Sequence, residues 1–335
     1  MLTPTRQRMN DVELFEELAR TRKRLLEQIG RVIVGQEPVV ELMLTALFAQ
    51  GHCLFIGVPG LAKTLLVSTT AKALGLNFSR VQFTPDLMPS DITGTEVLEE
   101  DRATGGRALR FIPGPVFTNL LLADEINRTP PKTQAALLQS MQERQVTVAG
   151  RTHSLEAPFQ VFATQNPIEQ EGTYPLPEAQ LDRFMLSIEV GYPSEAEEME
   201  IVRRTTVGEP AEVVPVLDRS LLLGLQSLVR RLPANEAVTR YAVRLARATR
   251  PGPDAPEATR RYVQWGAGPR ASQHLAVGAR VWAALHGNEV PSVDDVAAVA
   301  AAVLSHRVLL NFQAEAQGVT PSQVIAEILR GVPRS

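Results

Sequence analysis

The sequence predicts an α/β protein in which a parallel β-sheet flanked by helices is followed by a second, smaller, all-α domain. Three short, mainly apolar runs, at residues 53–56, 119–123 and 159–164, have the length of buried strands and are followed by polar residues or a glycine-rich turn. Beyond residue 217 the apolar residues recur with helical spacing. A chain of 335 residues is long for one core and suits a main domain of about 200 residues with a smaller partner.

The most informative segment is the glycine-rich turn at residues 57–64, which follows the first apolar run and precedes a helical pattern that ends near Gly75. Strand, turn and helix in this order are typical of a phosphate-binding loop, whose backbone N–H groups surround the phosphates of a nucleoside triphosphate. Lys63 would reach the β- and γ-phosphates, and Thr64 would ligate Mg²⁺. Ala62 replaces the usual glycine, which we expect to be tolerated if its φ is negative. The predicted nucleotide contacts are Gly57, Val58, Pro59, Gly60, Leu61, Ala62, Lys63, Thr64 and Leu65.

Two adjacent carboxylates, Asp124 and Glu125, end the second apolar run, in a Walker B arrangement. Because the carboxyl ends of parallel strands face the crevice where ligands bind, Asp124 would hold Mg²⁺ through water and Glu125 would polarise the attacking water. The alternative is a pair of acids that opens a solvated loop. The phosphate-binding loop upstream favours the functional interpretation.

The third apolar run ends in an amide, Asn166, which could orient the water or contact the γ-phosphate. A simple turn asparagine before Pro167 is the alternative. Further along, Arg183 follows a proline-rich loop and Arg270 opens a helix. Arginines are common on solvated surfaces, so it is their order behind the other motifs that makes these two candidates for the site.

Together these segments resemble an AAA+ ATPase, and more closely the MoxR family of AAA+ proteins. The matching segments are residues 34–37, 57–64, 124–128, 163–167, 172–184 and 268–270, within a resemblance that covers about residues 25–330. The resemblance implies ATP and Mg²⁺ as ligands and an adenine pocket lined by Gly35 and Gln36. It also implies Asn166 as sensor 1, Arg183 as an arginine finger offered to a neighbouring subunit, and Arg270 as sensor 2 on the lid domain.

Two hairpins are predicted as insertions in the main domain. Residues 96–111 read as two short strands about a turn at residues 104–106, similar to the helix-2 insert of magnesium chelatase and certain helicases. Residues 145–155 read as a second hairpin with its turn at Ala149 and Gly150. In related rings such hairpins project into the central channel or the subunit interface. Ordinary surface hairpins are the alternative for both.

The domain organisation follows from a loss of periodicity at residues 205–216, which include two prolines. We therefore predict a nucleotide-binding core at residues 1–204, a linker at 205–216 and an α-helical lid at 217–335. Four lid helices are expected at residues 221–232, 237–248, 272–285 and 293–304, the last with an N-cap at Ser292. Residues 12–29 are expected to form an amphipathic helix that packs on the edge of the core.

Composition narrows the function classes. No apolar run reaches membrane-spanning length and no secretory signal opens the chain, so a cytoplasmic protein without a membrane span is expected. The single cysteine, Cys53, is read as a small core residue, and the five histidines show no metal-ligand spacing. A formal net charge of −3 at pH 7 provides no general attraction to nucleic acid.

The resemblance implies a ring-forming ATPase, most simply a hexamer, that acts as a chaperone-like remodeller or maturation factor for a client protein. In this family the client protein often occurs with a partner that has a von Willebrand factor A domain. Two other classes stay open at this point. A nucleic-acid-stimulated motor is suggested only by the shared insert, and a nucleotide-gated scaffold with negligible turnover is made conceivable by Ala62. The intact Asp124 and Glu125 pair argues against the scaffold.

Overall fold

The computed structural model describes residues 9–100, 107–168, 172–207, 211–233 and 235–334. The strands, in chain order, are β1 (Cys53–Ile56), β2 (Phe78–Gln82), β3 (Gly94–Glu100), β4 (Arg107–Pro113), β5 (Leu120–Asp124), β6 (Gln145–Val148), β7 (Arg151–Ser154), β8 (Gln160–Gln165), β9 (Leu186–Glu189), β10 (Val263–Trp265) and β11 (Leu309–Leu310).

The helices are α1 (Asp11–Gly30), α2 (Glu37–Ala49), α3 (Lys63–Ala73), α4 (Pro89–Thr93), α5 (Pro131–Glu143), α6 (Glu178–Leu181), α7 (Glu195–Thr206), α8 (Arg219–Arg231), α9 (Glu236–Ala248), α10 (Glu257–Tyr262), α11 (Pro269–Leu285), α12 (Val293–Leu304), α13 (Phe312–Ala316) and α14 (Pro321–Gly331). Single 3₁₀ turns lie at Ile126–Arg128 and Ser305–Arg307.

The central sheet has five strands in the order β2-β5-β8-β1-β9, and every neighbouring pair in it is parallel. The three predicted apolar strands are β1, β5 and β8, and they occupy the middle of the sheet, where both faces are covered. Because all five strands run in one direction, their carboxyl ends meet at a single edge. The predicted fold class is confirmed.

Side chains on the two faces of the sheet pack into two different hydrophobic cores. Phe55 and Phe162 stack on one face, with ring centroids 5.8 Å apart, and belong to a core that continues into the lid helices. Leu54 and Leu121 point to the other face and belong to a second core that includes α5. The lid is therefore packed against one face of the sheet.

Helix α1 confirms the predicted amphipathic helix. It begins with a capping box at Asn10, and Leu18, Leu25 and Ile29 on one stripe are fully buried. The helix packs against α3 of the core and against α8 and α11 of the lid. Helix α1 thus joins the two parts of the chain as well as covering the edge of the core.

The four predicted lid helices correspond to α8, α9, α11 and α12, and Ser292 forms a capping box with Asp295 at the start of α12. A small antiparallel pair, β10 with β11, also lies in this part and was not predicted. Helix α7 extends to Thr206, two residues into the predicted linker, and residues 211–216 form neither helix nor strand. The domain boundaries at 204 and 217 stay a prediction.

Both hairpins are present. Strands β3 and β4 pair antiparallel from Gly94 to Pro113, while the predicted turn at 104–106 lies outside the described residues. Strands β6 and β7 pair about Ala149 and Gly150, whose φ angles of +47° and +81° suit a tight hairpin turn. The hairpins contact each other through Phe111, whose ring stacks on that of His153 at 3.9 Å. In the part of the chain that the structure describes, we find no helix long and apolar enough to cross a membrane.

Candidate nucleotide-binding site

The phosphate-binding loop lies between β1 and α3, as predicted. Its first glycine, Gly57, is required by close packing, since a Cβ there would lie 2.6 Å from the carbonyl oxygen of Val190. Gly60 is required by conformation, because its φ is +87°, although a Cβ at this position would meet no other atom within 4 Å. The glycines therefore serve two different purposes in one turn.

The expectation of a negative φ at Ala62 is wrong. Its φ is +55°, in the left-handed region, and it stands directly before the first residue of α3. An L-residue other than glycine pays about 1 kcal/mol or more for this conformation. The loop needs it because consecutive N–H groups converge on a bound anion only when the backbone turns in this way. Strain at Ala62 is therefore part of the loop's shape.

Lys63 lies inside the loop that precedes it. Its Nζ donates to the carbonyl oxygens of Gly57 and Val58, both at 2.7 Å. Desolvation lowers the pKa of Lys63, against the opposing attraction of Asp124 and Glu125. The ammonium group is thus held at the centre of the turn, where the phosphates of a nucleotide would meet it.

One cavity of about 440 Å³ collects most of the predicted site. It is lined by loop residues 59–65, by Asp124 and Glu125 at the end of β5, and by Asn166 after β8. Gly57 and Val58, at the start of the loop, do not line the cavity. The oxygens of Thr64 and Asp124 share this cavity, and hard oxygen donors of this kind suit Mg²⁺.

The adenine-pocket candidates lie beside the loop and do not line the cavity. Gln36 donates from Nε2 to the carbonyl oxygen of Leu61, at 3.4 Å, and its Oε1 is buried without a hydrogen-bond partner among the described residues. Gly35 has a φ of +65°, and a Cβ there would overlap the carboxylate of Glu197 at the start of α7. The two residues therefore connect the loop to α7.

Asp124 and Glu125, the predicted Walker B carboxylates, both accept hydrogen bonds from side chains of the neighbouring strand β2. Asp124 Oδ2 accepts from Nε and Nη2 of Arg80, at 3.0 and 2.7 Å. Its Oδ1 accepts from Thr164 Oγ1 at 2.6 Å. Glu125 Oε2 accepts from Gln82 Nε2 at 2.6 Å. The hydrogen bond from Gln82 therefore restricts rotation of the Glu125 side chain, which would polarise the attacking water.

Arg80, Gln82 and Thr164 were missed by the sequence reasoning. Arg80 and Gln82 alternate on the edge strand β2, so they share one face, in register with Leu122 and Asp124 of β5. The signal that could have found them is this alternation of polar residues directly after the helix of the phosphate-binding loop.

Asn166 makes the turn interaction that the sequence suggested, and its contact with a ligand stays a prediction. Its Oδ1 accepts from the backbone N–H of Ile168 at 3.2 Å, which is the turn interaction. Asn166 also lines the cavity, and its Nδ2 is buried without a partner in the described part of the chain. An unpaired buried N–H group is costly unless a ligand accepts its hydrogen bond. The amide is thus turn-forming at one end and available to a ligand at the other.

Arg183 and Arg270 are not brought to this cavity. They line a separate cavity of about 230 Å³ together with His52, at the amino end of β1, and Arg144. The phosphate-binding loop follows the carboxyl end of the same strand. The two cavities therefore lie at opposite ends of β1, one at the carboxyl ends of the strands and the other at their amino ends. Arg270 donates to Asp182 Oδ2 at 3.0 Å. The side chain of Arg183 makes no hydrogen bond or ion pair with the described residues.

Comparison with known proteins agrees with this geometry. A profile of the ATPase family associated with various cellular activities (AAA) matches residues 52–186, and a profile of the AAA lid domain matches residues 256–328. A crystal structure assigned as an ATPase from Cytophaga hutchinsonii superimposes with a TM-score of 0.88 at 40% identity, covering 96% of this chain and 97% of that one. The fold and the site therefore define an AAA+ ATPase with a lid domain.

The sequence relatives identify the family within this class. The chaperone MoxR1 of Mycobacterium tuberculosis is 46% identical over 313 residues, which is 93% of this chain and 82% of the relative. Protein MoxR of Methylorubrum extorquens is 34% identical over 330 residues, covering 92% of each chain. The chain belongs to the MoxR family of AAA+ ATPases.

Proposed function

We propose that the protein hydrolyses ATP with Mg²⁺ in an oligomeric ring, most simply a hexamer, and uses the cycle to remodel a client protein. The observation that carries the proposal is the separation of the two half-sites. The phosphate-binding loop and the carboxylates share one cavity at the carboxyl ends of the strands, whereas Arg183 and Arg270 line another at their amino ends. A second copy of the chain would bring the arginines of one subunit to the nucleotide of the next.

In this mechanism the loop amides and Lys63 bind the phosphates, and Asn166 Nδ2 donates to the γ-phosphate or to the attacking water. Thr64 and Asp124 would hold Mg²⁺, which would neutralise charge on the phosphates when bound. Glu125 orients and polarises the water. Gln82 Nε2 donates to Glu125 Oε2, and Arg128 Nε lies 3.2 Å from the same oxygen, so these two side chains would orient the carboxylate while its Oε1 accepts from the water.

Arg183 would complete the site in trans. Its guanidinium has no partner among the described residues, so no ion pair with any of them has to be broken for it to reach a neighbour's phosphate. An arginine finger contributes about 10³–10⁵ in rate in related phosphoryl-transfer systems. Isolated subunits should accordingly hydrolyse ATP slowly. We assign Arg270 to the same trans-acting face because it lines the same cavity.

The hairpin of β3 and β4 is the proposed client-contacting element. Leu98 and Leu109 form a cross-strand pair and are 61% and 56% exposed. The basic residues Arg107 and Arg110 on the same hairpin pair with Glu100 and Glu99, at 3.9 and 3.2 Å. The described hairpin strands thus expose apolar side chains without a free basic stripe, which favours a protein client over nucleic acid. A client with a von Willebrand factor A domain partner and a cytoplasmic location remain proposals from the family.

The ring proposal is tested by mixing two inactive variants. Lys63→Ala removes the phosphate contact and Arg183→Ala removes the finger, so each ring alone should be inactive. In randomly mixed rings, about one quarter of the interfaces join an intact nucleotide site to an intact finger, so ATPase activity should return. Arg110→Ala, an exposed arginine on the hairpin, is the matched control and should only be diluted by Lys63→Ala subunits. Absence of rescue in assembled mixed rings would refute the trans-acting finger.

The client surface is tested separately. The double substitution Leu98→Ser with Leu109→Ser should leave ring size and basal ATPase unchanged, since neither side chain lines the nucleotide cavity. Stimulation of the ATPase by a client, recovered by pull-down on the Glu125→Gln variant, should be lost. Val243→Ser, an exposed apolar position on the lid helix α9, is the control. Full stimulation of the double variant would show that the client binds elsewhere.

A further inference from the structure

A buried arginine of the lid, Arg307, donates hydrogen bonds to the segment that carries Arg183. Arg307 lies in the 3₁₀ turn after α12, and its side chain is only 2% exposed. Its Nε donates to Asp182 Oδ1 at 2.8 Å. Its Nη atoms donate to the backbone carbonyl oxygens of Asp182, at 3.2 Å, of Phe184, and of Met185, at 3.2 Å. One guanidinium therefore contacts the residues on both sides of Arg183.

Two further acceptors lie beside Arg307. Nη1 also donates to the carbonyl oxygen of Val303, and Nη2 lies 2.8 Å from His274 Nδ1, so the two N–H groups of Nη2 are shared among three acceptors. Burial lowers the pKa of Arg307 to about 10, against the opposing effect of Asp182. Burying a guanidinium is costly unless its donors are satisfied. The planar fork of arginine, with five N–H donors, meets this requirement here.

Two further lid residues hold the same segment. Arg270 at the start of α11 donates to Asp182 Oδ2 at 3.0 Å, and His306 Nε2 lies 3.1 Å from the carbonyl oxygen of Phe184. On the core side, the backbone N–H of Met185 donates to the carbonyl oxygen of His52 at 2.8 Å. The segment is thus fixed on every side, while the side chain of Arg183 itself makes no hydrogen bond or ion pair with the described residues.

We propose that Arg307 is a positioning residue, which holds the backbone at Asp182 to Met185 so that Arg183 points at the nucleotide of the neighbouring subunit. The proposal rests on the trans-acting role of Arg183 given above. Its consequence is that the lid of one subunit controls the active site of the next, because the finger segment is bound to the lid through three side chains. A movement of the lid would move the finger with it.

The decisive variant is Arg307→Lys. Lysine keeps the charge but has three donors on one nitrogen, so it cannot hold Asp182 and the carbonyls of Phe184 and Met185 together. A finger misplaced by about 1 Å should cost about 10²-fold in kcat, with ATP affinity little changed, since Arg307 lies outside the nucleotide cavity. Arg330→Lys is the matched control, because Arg330 is an exposed lid arginine with a hydrogen bond only to Ala326 within its own helix among the described residues.

The mixing assay separates positioning from a general structural role. Rings of Arg307→Lys alone should be slow, because every intact site faces a misplaced finger. Addition of Lys63→Ala subunits, whose fingers are intact, should restore turnover at the Arg307→Lys sites. A purely structural defect would persist in the mixture. Equilibrium binding of ATP, ring size and kcat are measured for each ring.

The outcomes distinguish the two proposals. If Arg183→Ala is not rescued by Lys63→Ala, the trans-acting finger fails, and the positioning role fails with it. If Arg183→Ala is rescued but Arg307→Lys has the wild-type kcat, or is slow and not rescued, only the positioning role is overturned. Should Arg307→Lys not fold, as judged by circular dichroism, Asp182→Asn takes its place in the same assay, since it weakens the same contact while keeping the side-chain size.

Discussion

Substitution of Arg80 tests how the site changes when Mg²⁺ binds. Arg80 gives two hydrogen bonds to Asp124 Oδ2, and Thr164 occupies Oδ1, so both oxygens of the proposed metal-holding carboxylate are engaged. Mg²⁺ and its waters would therefore compete with the guanidinium. Arg80→Ala should strengthen the coupling between Mg²⁺ and ATP, because it removes the competitor.

The magnitude follows from the exposure of the pair. The side chain of Arg80 is 47% exposed, so this ion pair contributes about 1 kcal/mol, which corresponds to about a fivefold change in a binding constant. The measured quantity is the ratio of the ATP dissociation constants in EDTA and in saturating Mg²⁺, followed with a fluorescent ATP analogue. That ratio should rise about fivefold in Arg80→Ala and stay constant in the exposed control Arg110→Ala. A ratio that falls would show that Arg80 supports the metal site instead of competing with it.

Three further outcomes are expected. Lys63→Ala should abolish ATP binding, whereas Glu125→Gln should bind ATP but not hydrolyse it; wild-type phosphate release by Glu125→Gln would remove the Walker B assignment. Ala62→Gly should raise the free energy of unfolding by about 1 kcal/mol in urea, because glycine adopts a φ of +55° without strain, and an unchanged or lower value would contradict the strain. Burial lowers the pKa of His52 to about 4 and that of His274 to about 3, below the unfolded value near 6.5. Below pH 6.5 the unfolded chain therefore binds more protons than the folded protein. From pH 7 to pH 5 the free energy of unfolding, measured in urea, should fall by about 2 kcal/mol for each of these histidines. A free energy of unfolding that does not change with pH would count against the burial argument.

The parts of the fold that the sequence predicts are those with strong local signals. Strands β1, β5 and β8 are central and buried on both faces, so they appear as uninterrupted apolar runs. The turn at Ala149 and Gly150 and the cap at Ser292 are set by a few adjacent residues. In each case the physical requirement lies within about ten residues of chain.

The unpredicted features depend on contacts that are distant in sequence or on backbone geometry. Strand β2 lies at the sheet edge with polar side chains, so its residues Arg80 and Gln82 looked like surface positions. Arg307 and Asp182 are 125 positions apart, and only the packing of the lid brings them together. At Ala62 the residue type favours a negative φ, but the shape of the phosphate-binding loop imposes the opposite sign.

Strand β1 links the two half-sites of one subunit. Its carboxyl end at Ile56 leads into the phosphate-binding loop, and His52, just before its amino end, lines the cavity of Arg183. The strand is paired on both sides, by β8 and β9, and in such close-packed surroundings we expect it to move as a unit. A shift of the loop on nucleotide binding would therefore reach the finger segment through the hydrogen bond from Met185 N–H to the carbonyl oxygen of His52. In the proposed mechanism the finger segment would receive one input from its own nucleotide site and a second from the lid through Arg307. We therefore expect Arg307→Lys to weaken the dependence of the finger on the lid and to preserve its dependence on bound ATP.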